Sequence, residues 1–219
     1  MLKKLTEEKL SELLETGIEE FAEKGPEGAN VNTIAKKAGI SVGVLYKYYE
    51  NKEEFFHACL RKSLDILKSV LNEVTQSDDK LLVRAERMIR AVQDYSKKYG
   101  VYIKMYNRIA SENGRKYVSM YAAEIESMTA KVYTEFIERA IKDGDIRNDI
   151  NPRLFAFFFD NLLTMLQFSY CCDYYTERAR VYCKEDFDDD EMVVSELLKF
   201  IESAFTFSRS EIVHRDQMC

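Results

Sequence analysis

Two Glu-x-x-His pairs, Glu54-Phe55-Phe56-His57 and Glu211-Ile212-Val213-His214, are the residues whose types and spacing most directly suggest chemistry. On helices, two such pairs with two further glutamates would make a di-metal carboxylate site in a bundle core. Their positions argue against it: His57 falls one turn into a helix after a turn-rich segment, and His214 in a polar stretch near the end of the sequence. An all-helical enzyme or di-metal bundle using Glu54, His57, Glu211 and His214 is therefore the alternative reading, and no metal is expected. Asp186, Asp188 and Asp190 take the first, third and fifth places of a calcium loop. Glu191 stands where that loop requires glycine, and Leu197 where it requires a bidentate glutamate. The run is expected to cap the last helix instead. Cys171 and Cys172, if both helical, point about 100° apart and cannot easily share one ion, so a core or interface role is expected. No nucleophile–base pair, Gly-x-Ser-x-Gly or phosphate loop occurs. No catalytic residue, cofactor or enzymatic activity is expected.

The chemistry that the spacing does support is charge and shape recognition between Asn30 and Lys52. Residues 28–52 hold four lysines (Lys36, Lys37, Lys47, Lys52) against one acid, Glu50, inside a chain of net charge −6. Asn30 can cap a short helix with Val31, Ile34, Ala35 and Ala38 inward; Gly39 can end it by adopting positive φ. Ser41 can cap a second short helix, Val42 to Tyr48, and Asn51 a third, with Glu54 three residues on. Two short helices about the tight turn Gly39-Ile40-Ser41 have the shape of a helix-turn-helix. Val42, Gly43 and Val44 carry little bulk, so the backbone can approach base edges and a valine can meet a thymine methyl. Lys36, Tyr46, Lys47, Tyr48 and Lys52 are placed to reach phosphates.

The elements that must position these residues are helical throughout. The chain has 219 residues, 46% of them hydrophobic, with only two prolines and eight glycines. A sandwich or barrel needs turn signals every 8–12 residues, and they are absent. The first helix starts at cap Thr6, carries Leu10, Leu13, Leu14, Ile18, Phe21 and Ala22 at helical spacing, and is stopped by Gly25-Pro26. Later helices are expected over about 52–74, 81–98, 101–110, 115–142, 152–183 and 191–207. The longest wholly apolar run, Leu154 to Phe159, is far short of the ~20 residues that cross a bilayer, and no membrane partner is expected. Met1-Leu2-Lys3-Lys4-Leu5 turns acidic at Glu7-Glu8, so no secretory signal is expected. Five irregularly spaced cysteines suggest reduced thiols in a cytoplasm.

The segment Ile34-Ala35-Lys36-Lys37-Ala38-Gly39-Ile40-Ser41-Val42-Gly43-Val44-Leu45-Tyr46-Lys47-Tyr48-Tyr49-Glu50-Asn51-Lys52-Glu53-Glu54 resembles the signature of the TetR family of bacterial transcriptional regulators. The resemblance covers about residues 6–60. It implies a homodimer, a three-helix DNA-binding domain and a larger helical domain that binds an inducing small molecule. By position, Ser41, Tyr46, Tyr48 and Lys52 match phosphate-contacting places, and Asn32, Val42, Gly43 and Val44 match places facing bases. Asn30 stands where the family usually has threonine, Val44 where threonine is common, and Tyr49 where phenylalanine is usual.

The expected organisation is an all-α chain: a helix-turn-helix domain over residues 1–51, a ligand-binding and dimerisation domain over 52–209, and a polar tail over 210–219. The surplus of Tyr and Met between Tyr95 and Tyr182 suggests an adaptable apolar pocket with polar handles. Met88, Tyr95, Tyr121, Met128, Phe158, Asn161 and Met165 are the expected lining. The last two helices carry apolar surplus for an isologous dimer interface: Phe155, Phe158, Leu162, Met165 and Leu166, then Val193, Leu197, Phe200, Ile201 and Ala204. The function expected is a repressor released from operator DNA by a hydrophobic or aromatic ligand, through reciprocal linkage between the two sites.

Overall fold

The computed structural model describes residues 5–75, 80–110 and 115–206, excepting the side chains at 72, 74–75, 115–122, 124–125 and 206. Every regular element among them is helical: α1 (Glu7–Gly28), α2 (Val31–Lys37), α3 (Val42–Tyr48), α4 (Lys52–Thr75), α5 (Leu81–Ala110), α6 (Arg115–Asp143), α7 (Pro152–Cys171), α8 (Asp173–Cys183), a 3-10 turn (Lys184–Asp188) and α9 (Asp190–Thr206). The chain divides into two compact units, one of Met1–Ser69 with Tyr99–Ala123, the other of Val70–Lys98 with Glu124–Cys219.

Local chemistry sets the starts of the first four helices. Thr6 Oγ1 accepts from Lys9 N at 3.2 Å, Asn30 Oδ1 from Asn32 N at 2.9 Å, Ser41 Oγ from Val44 N at 3.3 Å and Asn51 Oδ1 from Glu54 N at 2.9 Å. Each satisfies a backbone donor that the first helical turn leaves without a partner. Gly25, at φ 74°, breaks α1 so that Pro26 begins a final short turn. Gly39, at φ 65°, makes the turn between α2 and α3, a conformation costly for a residue with a Cβ.

The first unit is built on close approach of α1 and α4. Leu13, Ile18, Phe21, Ile34, Leu45, Phe55 and Phe56 are fully buried or nearly so. Phe21 meets Phe56 edge to face at 4.8 Å, and Tyr49 meets Phe55 at 4.9 Å, so Tyr49 packs as an aromatic where phenylalanine is usual. Gly17 lets the helices meet: a Cβ there would lie 2.6 Å from the Phe55 ring and 2.8 Å from Cys59 Sγ. Burial pushes the Cys59 thiol pKa up, and its Sγ donates to Leu14 O at 3.6 Å. The later part of α5 also packs here. Tyr102 Oη donates to the Glu15 carboxylate at 2.6 Å, and Arg108 reaches the α1 carbonyls of Ala22 and Glu23 at 3.4 and 3.2 Å.

In the second unit, Phe159 stacks between Tyr133 and Phe136 of α6 and Phe205 of α9. Arg90 grips Glu191 through two hydrogen bonds of 2.6 and 2.8 Å, and Gln93 donates to Tyr170 Oη at 2.8 Å and Asp190 O at 3.1 Å. Asp189 Oδ1 accepts from Glu191 N and Met192 N at 3.0 and 3.1 Å, so the acidic run does cap α9.

Two expected boundaries are corrected. The break at Gly100 is a kink inside one element, with Tyr99 at φ −125° and ψ 29°. The single helix over 152–183 is two, because Cys172 takes extended backbone at φ −102° and ψ 121°. Thr176 bonds back to Ser169 O and Cys172 O at 3.0 and 3.2 Å, which satisfies carbonyls at the break. By length and composition α7 is long and apolar enough to cross a membrane, although its longest unbroken apolar run is only Leu154 to Phe159.

Gly17→Ala is expected to destabilise the protein by about 1–3 kcal/mol, because the added methyl meets a fully buried ring with no room to retreat. Urea unfolding followed by circular dichroism checks this; a variant as stable as the wild type would contradict the packing described.

Candidate functional site

α3 has seven residues, and only Leu45 among them is buried, with none of its surface exposed. That one insertion fixes which face turns outward. Ser41, Gly43, Tyr46 and Lys47 are exposed, Tyr46 at 43%, while Val42, Val44 and Tyr48 are half-buried. A Cβ on Gly43 would meet only Ser41 Oγ at 3.9 Å, so the helix surface is open there. From α2 and its cap, Asn30, Asn32 and Lys36 are exposed too. Lys36 and Lys47 have no ion-pair partner among the described residues.

The other two lysines of the segment are engaged within the fold. Lys37 Nζ lies 3.5 Å from Glu20, a buried carboxylate that also accepts from Asn30 N at 3.4 Å. Glu20 thus ties the start and end of α2 to α1, a role that spacing alone did not reveal. Lys52 Nζ donates to Glu27 O at 2.7 Å and Ala29 O at 3.0 Å. An ammonium has three donors, so one is left for a phosphate while two pin the loop before α2. Tyr48 Oη accepts from Leu5 N at 2.6 Å and keeps its own proton to donate. The arrangement presents small side chains and backbone at the start of α3, ringed by hydroxyls and ammonium groups. Chemically it can neutralise and hydrogen-bond phosphates while a narrow helix face enters a groove.

The expected ligand lining is spread over several settings. Met88 and Tyr95 of α5 are buried, Met128 of α6 is half-buried, and the Tyr121 side chain lies outside the described residues. On α7, Phe158 is 56% exposed and Met165 37%, and Asn161, also exposed, donates to Phe157 O at 2.7 Å. A groove of about 580 Å³ opens between α6 and α7, lined by Glu126, Thr129, Ala130, Arg153, Ala156, Phe157 and Asp160 among others, and not by Met88, Tyr95, Met128, Phe158, Asn161 or Met165. Burial raises the Asp160 pKa to about 6, assisted by the charge of Glu126. The groove escaped sequence reading because Asp160 sits at the end of an apolar run and its partner residues lie on another helix.

For the di-metal alternative, Glu211 and His214 lie outside the described residues. His57 Nε2 is 4.0 Å from Glu53, one turn back, rather than from Glu54. Among the described residues no group of three His, Cys, Asp or Glu side chains could hold a metal.

Residues 13–59 match the family described as bacterial regulatory proteins, tetR family. The chain is 27% identical over 147 residues to the HTH-type transcriptional repressor KstR2 of Mycobacterium tuberculosis, covering 65% of this chain and 72% of that protein. It is 25% identical over 158 residues to the HTH-type transcriptional regulator YhgD of Bacillus subtilis, covering 72% and 82%. Its fold matches that of AibR in complex with isovaleryl coenzyme A and operator DNA, with a TM-score of 0.63, 18% identity, and 88% and 97% of the two chains covered.

The raised Asp160 pKa has a consequence for stability. Between about pH 4 and 6 the folded state binds a proton that the unfolded state has released, so stability falls as pH rises through that window. Asp160→Asn removes the decline. The variant is expected to exceed the wild type at pH 7 by about 1–2 kcal/mol and to equal it below pH 4, in urea titrations at both pH values. Equal stability at pH 7 would mean that the carboxylate is not penalised.

Proposed function

Since this chain belongs to the TetR family of bacterial regulatory proteins, we propose that it is a cytoplasmic homodimeric repressor that reads operator DNA with α3 and is released by a small molecule with an apolar body. The carrying observation is the exposed face of α3, held outward by Leu45 alone. Asn32, Val42, Gly43 and Val44 are assigned to bases, and Asn30, Lys36, Ser41, Tyr46, Lys47, Tyr48 and Lys52 to positioning on the backbone. Val44 offers a methyl where a threonine would offer a hydroxyl, so its contribution is apolar contact. No catalytic role is proposed.

Two observations support the dimer. Leu154, Phe158, Leu162 and Met165 recur along one face of α7 and all are exposed, as are Met192 and Phe200 on α9. A stripe of exposed apolar side chains along a helix is what an interaction site in a globular protein presents. Val194 and Ile201, by contrast, are buried within their own chain, which assigns Ile201 to the core rather than to the partner. For the inducer, the support is a groove within the usual range for small-molecule sites, and a relative seen with isovaleryl coenzyme A and operator DNA. Met128, Phe158 and Asn161 each adjoin a groove residue in sequence; Met88, Tyr95, Tyr121 and Met165 complete the proposed ligand region. A ligand that favours the conformer with misplaced reading heads weakens DNA binding by its differential affinity, and DNA weakens the ligand equally.

DNA from the intergenic regions flanking the gene should be bound as a near-palindrome with half-sites about 34 Å apart or more, with affinity falling steeply as salt rises. Tyr46→Phe should weaken all sequences alike, whereas Val42→Ala and Val44→Ala should change preference at particular base pairs. Affinity indifferent to sequence in gel-shift competition would refute operator recognition.

Phe158→Glu and Leu162→Glu should yield monomers in analytical ultracentrifugation. Operator affinity should then fall by about 100-fold or more, as two tethered reading heads become one. A dimer unaffected by both changes would put the interface elsewhere.

A further inference from the structure

We propose that Cys171 and Cys172 form a two-point thiol site for a soft, thiophilic electrophile with two exchangeable positions, a monosubstituted trivalent arsenical being the compound class. Had the helix continued, the two side chains would diverge by about 100°. Instead α7 ends at Cys171, and the extended Cys172, its N–H still bonded to Phe168 O at 2.8 Å, brings the two sulfurs to 3.9 Å. Cys172 is 4% exposed, whereas Cys171 is half-buried with its Sγ on Gln167 O at 3.3 Å, so the pair has one inner and one accessible thiol.

The spacing selects the ligand. With bonds as long as zinc–thiolate ones, about 2.3 Å, and the pyramidal angle of trivalent arsenic, about 100°, a bridging arsenic holds its sulfurs about 3.5 Å apart, a few tenths of an ångström inside the observed 3.9 Å. A disulfide would need the sulfurs to close to about 2.05 Å, and it favours Cα separations of about 4.4–6.8 Å, whereas adjacent residues across a trans peptide are about 3.8 Å apart. A one-atom arsenic bridge therefore needs only a small closure of the pair, whereas direct oxidation needs a closure of nearly 2 Å. Structural zinc needs four ligands, and among the described residues no third His, Cys, Asp or Glu joins the pair. Cys183 ends the 11-residue α8, about 16 Å along the helix from this junction. In the reaction with R–As(OH)₂, two As–O bonds break and two As–S bonds form. Each thiol proton leaves with a hydroxyl as water, and arsenic stays trivalent. The site holds whether or not the chain reads an operator, since it uses none of the proposed DNA contacts.

The reduced full-length protein is titrated with phenylarsine oxide and followed by intact mass and free-thiol count. One adduct per chain is expected, with two thiols lost, stable to excess 2-mercaptoethanol and stripped by 1,2-ethanedithiol. Cys171→Ser and Cys172→Ala should each raise the apparent Kd by about 100-fold or more, as a two-point attachment becomes one-point; Cys183→Ser should leave it unchanged. If Cys172→Ala loses helicity, Cys171→Ser at the half-buried position carries the test. A wild-type adduct removed by 2-mercaptoethanol, or a resistant adduct that persists in Cys171→Ser, would overturn the proposal. So would treatment with hydrogen peroxide that links Cys171 to Cys172 in a protein that takes up no arsenical.

Discussion

A seven-residue helix has no stability of its own in water, because nucleation costs more than so few hydrogen bonds return. α3 therefore exists only as far as Leu45 is held, and everything that the outward face does depends on that insertion. The surrounding sequence is organised to hold it. Ser41 caps the helix at one end, and Tyr49 locks against Phe55 at the other. In the same unit, the packing around Phe21, Phe55 and Phe56 is close enough that Gly17 cannot carry a side chain. Because so little of α3 is needed for stability, the rest is free to meet a ligand.

Charge follows the same economy. An acidic chain must keep a basic face locally, and it does so by spending only part of its lysines on structure. Lys37 neutralises the buried Glu20 and Lys52 ties down two carbonyls, which leaves Lys36 and Lys47 exposed. Electrostatic attraction to phosphate then arises where geometry also permits close approach, rather than over the whole surface.

Much of the first unit was legible in the sequence because its signals are local. Thr6, Asn30, Ser41 and Asn51 cap as their types suggest, and Gly39 adopts the positive φ that only its lack of a Cβ makes easy. The remainder depends on contacts between residues far apart in the chain. Nothing in the run Ser169-Tyr170-Cys171-Cys172-Asp173 marks a helix end, since it lacks glycine and proline; the break shows only with Cys172 buried and Thr176 folded back. Periodicity placed Phe158 and Met165 on a helix face without saying whether that face met a core, a ligand or solvent. The bonds from Lys52 to Glu27 O and Ala29 O were not legible, because backbone carbonyls carry no sequence signature.

The hydrogen bonds from Tyr102 to Glu15 and from Arg108 to the carbonyls of Ala22 and Glu23 bear on how such a protein can be recombined. They make the unit that carries α3 discontinuous in sequence, with its last pieces encoded after residue 98. A gene fusion that joined residues 1–69 to a foreign effector domain would transplant α3 but leave behind a donor set that α1 relies on. Exchange between relatives is then best tolerated where the α5 contacts travel with α1, or where the incoming chain brings its own tyrosine and arginine to the same carboxylate and carbonyls. Modularity in this architecture is a property of matched surfaces, not of a cut point along the chain.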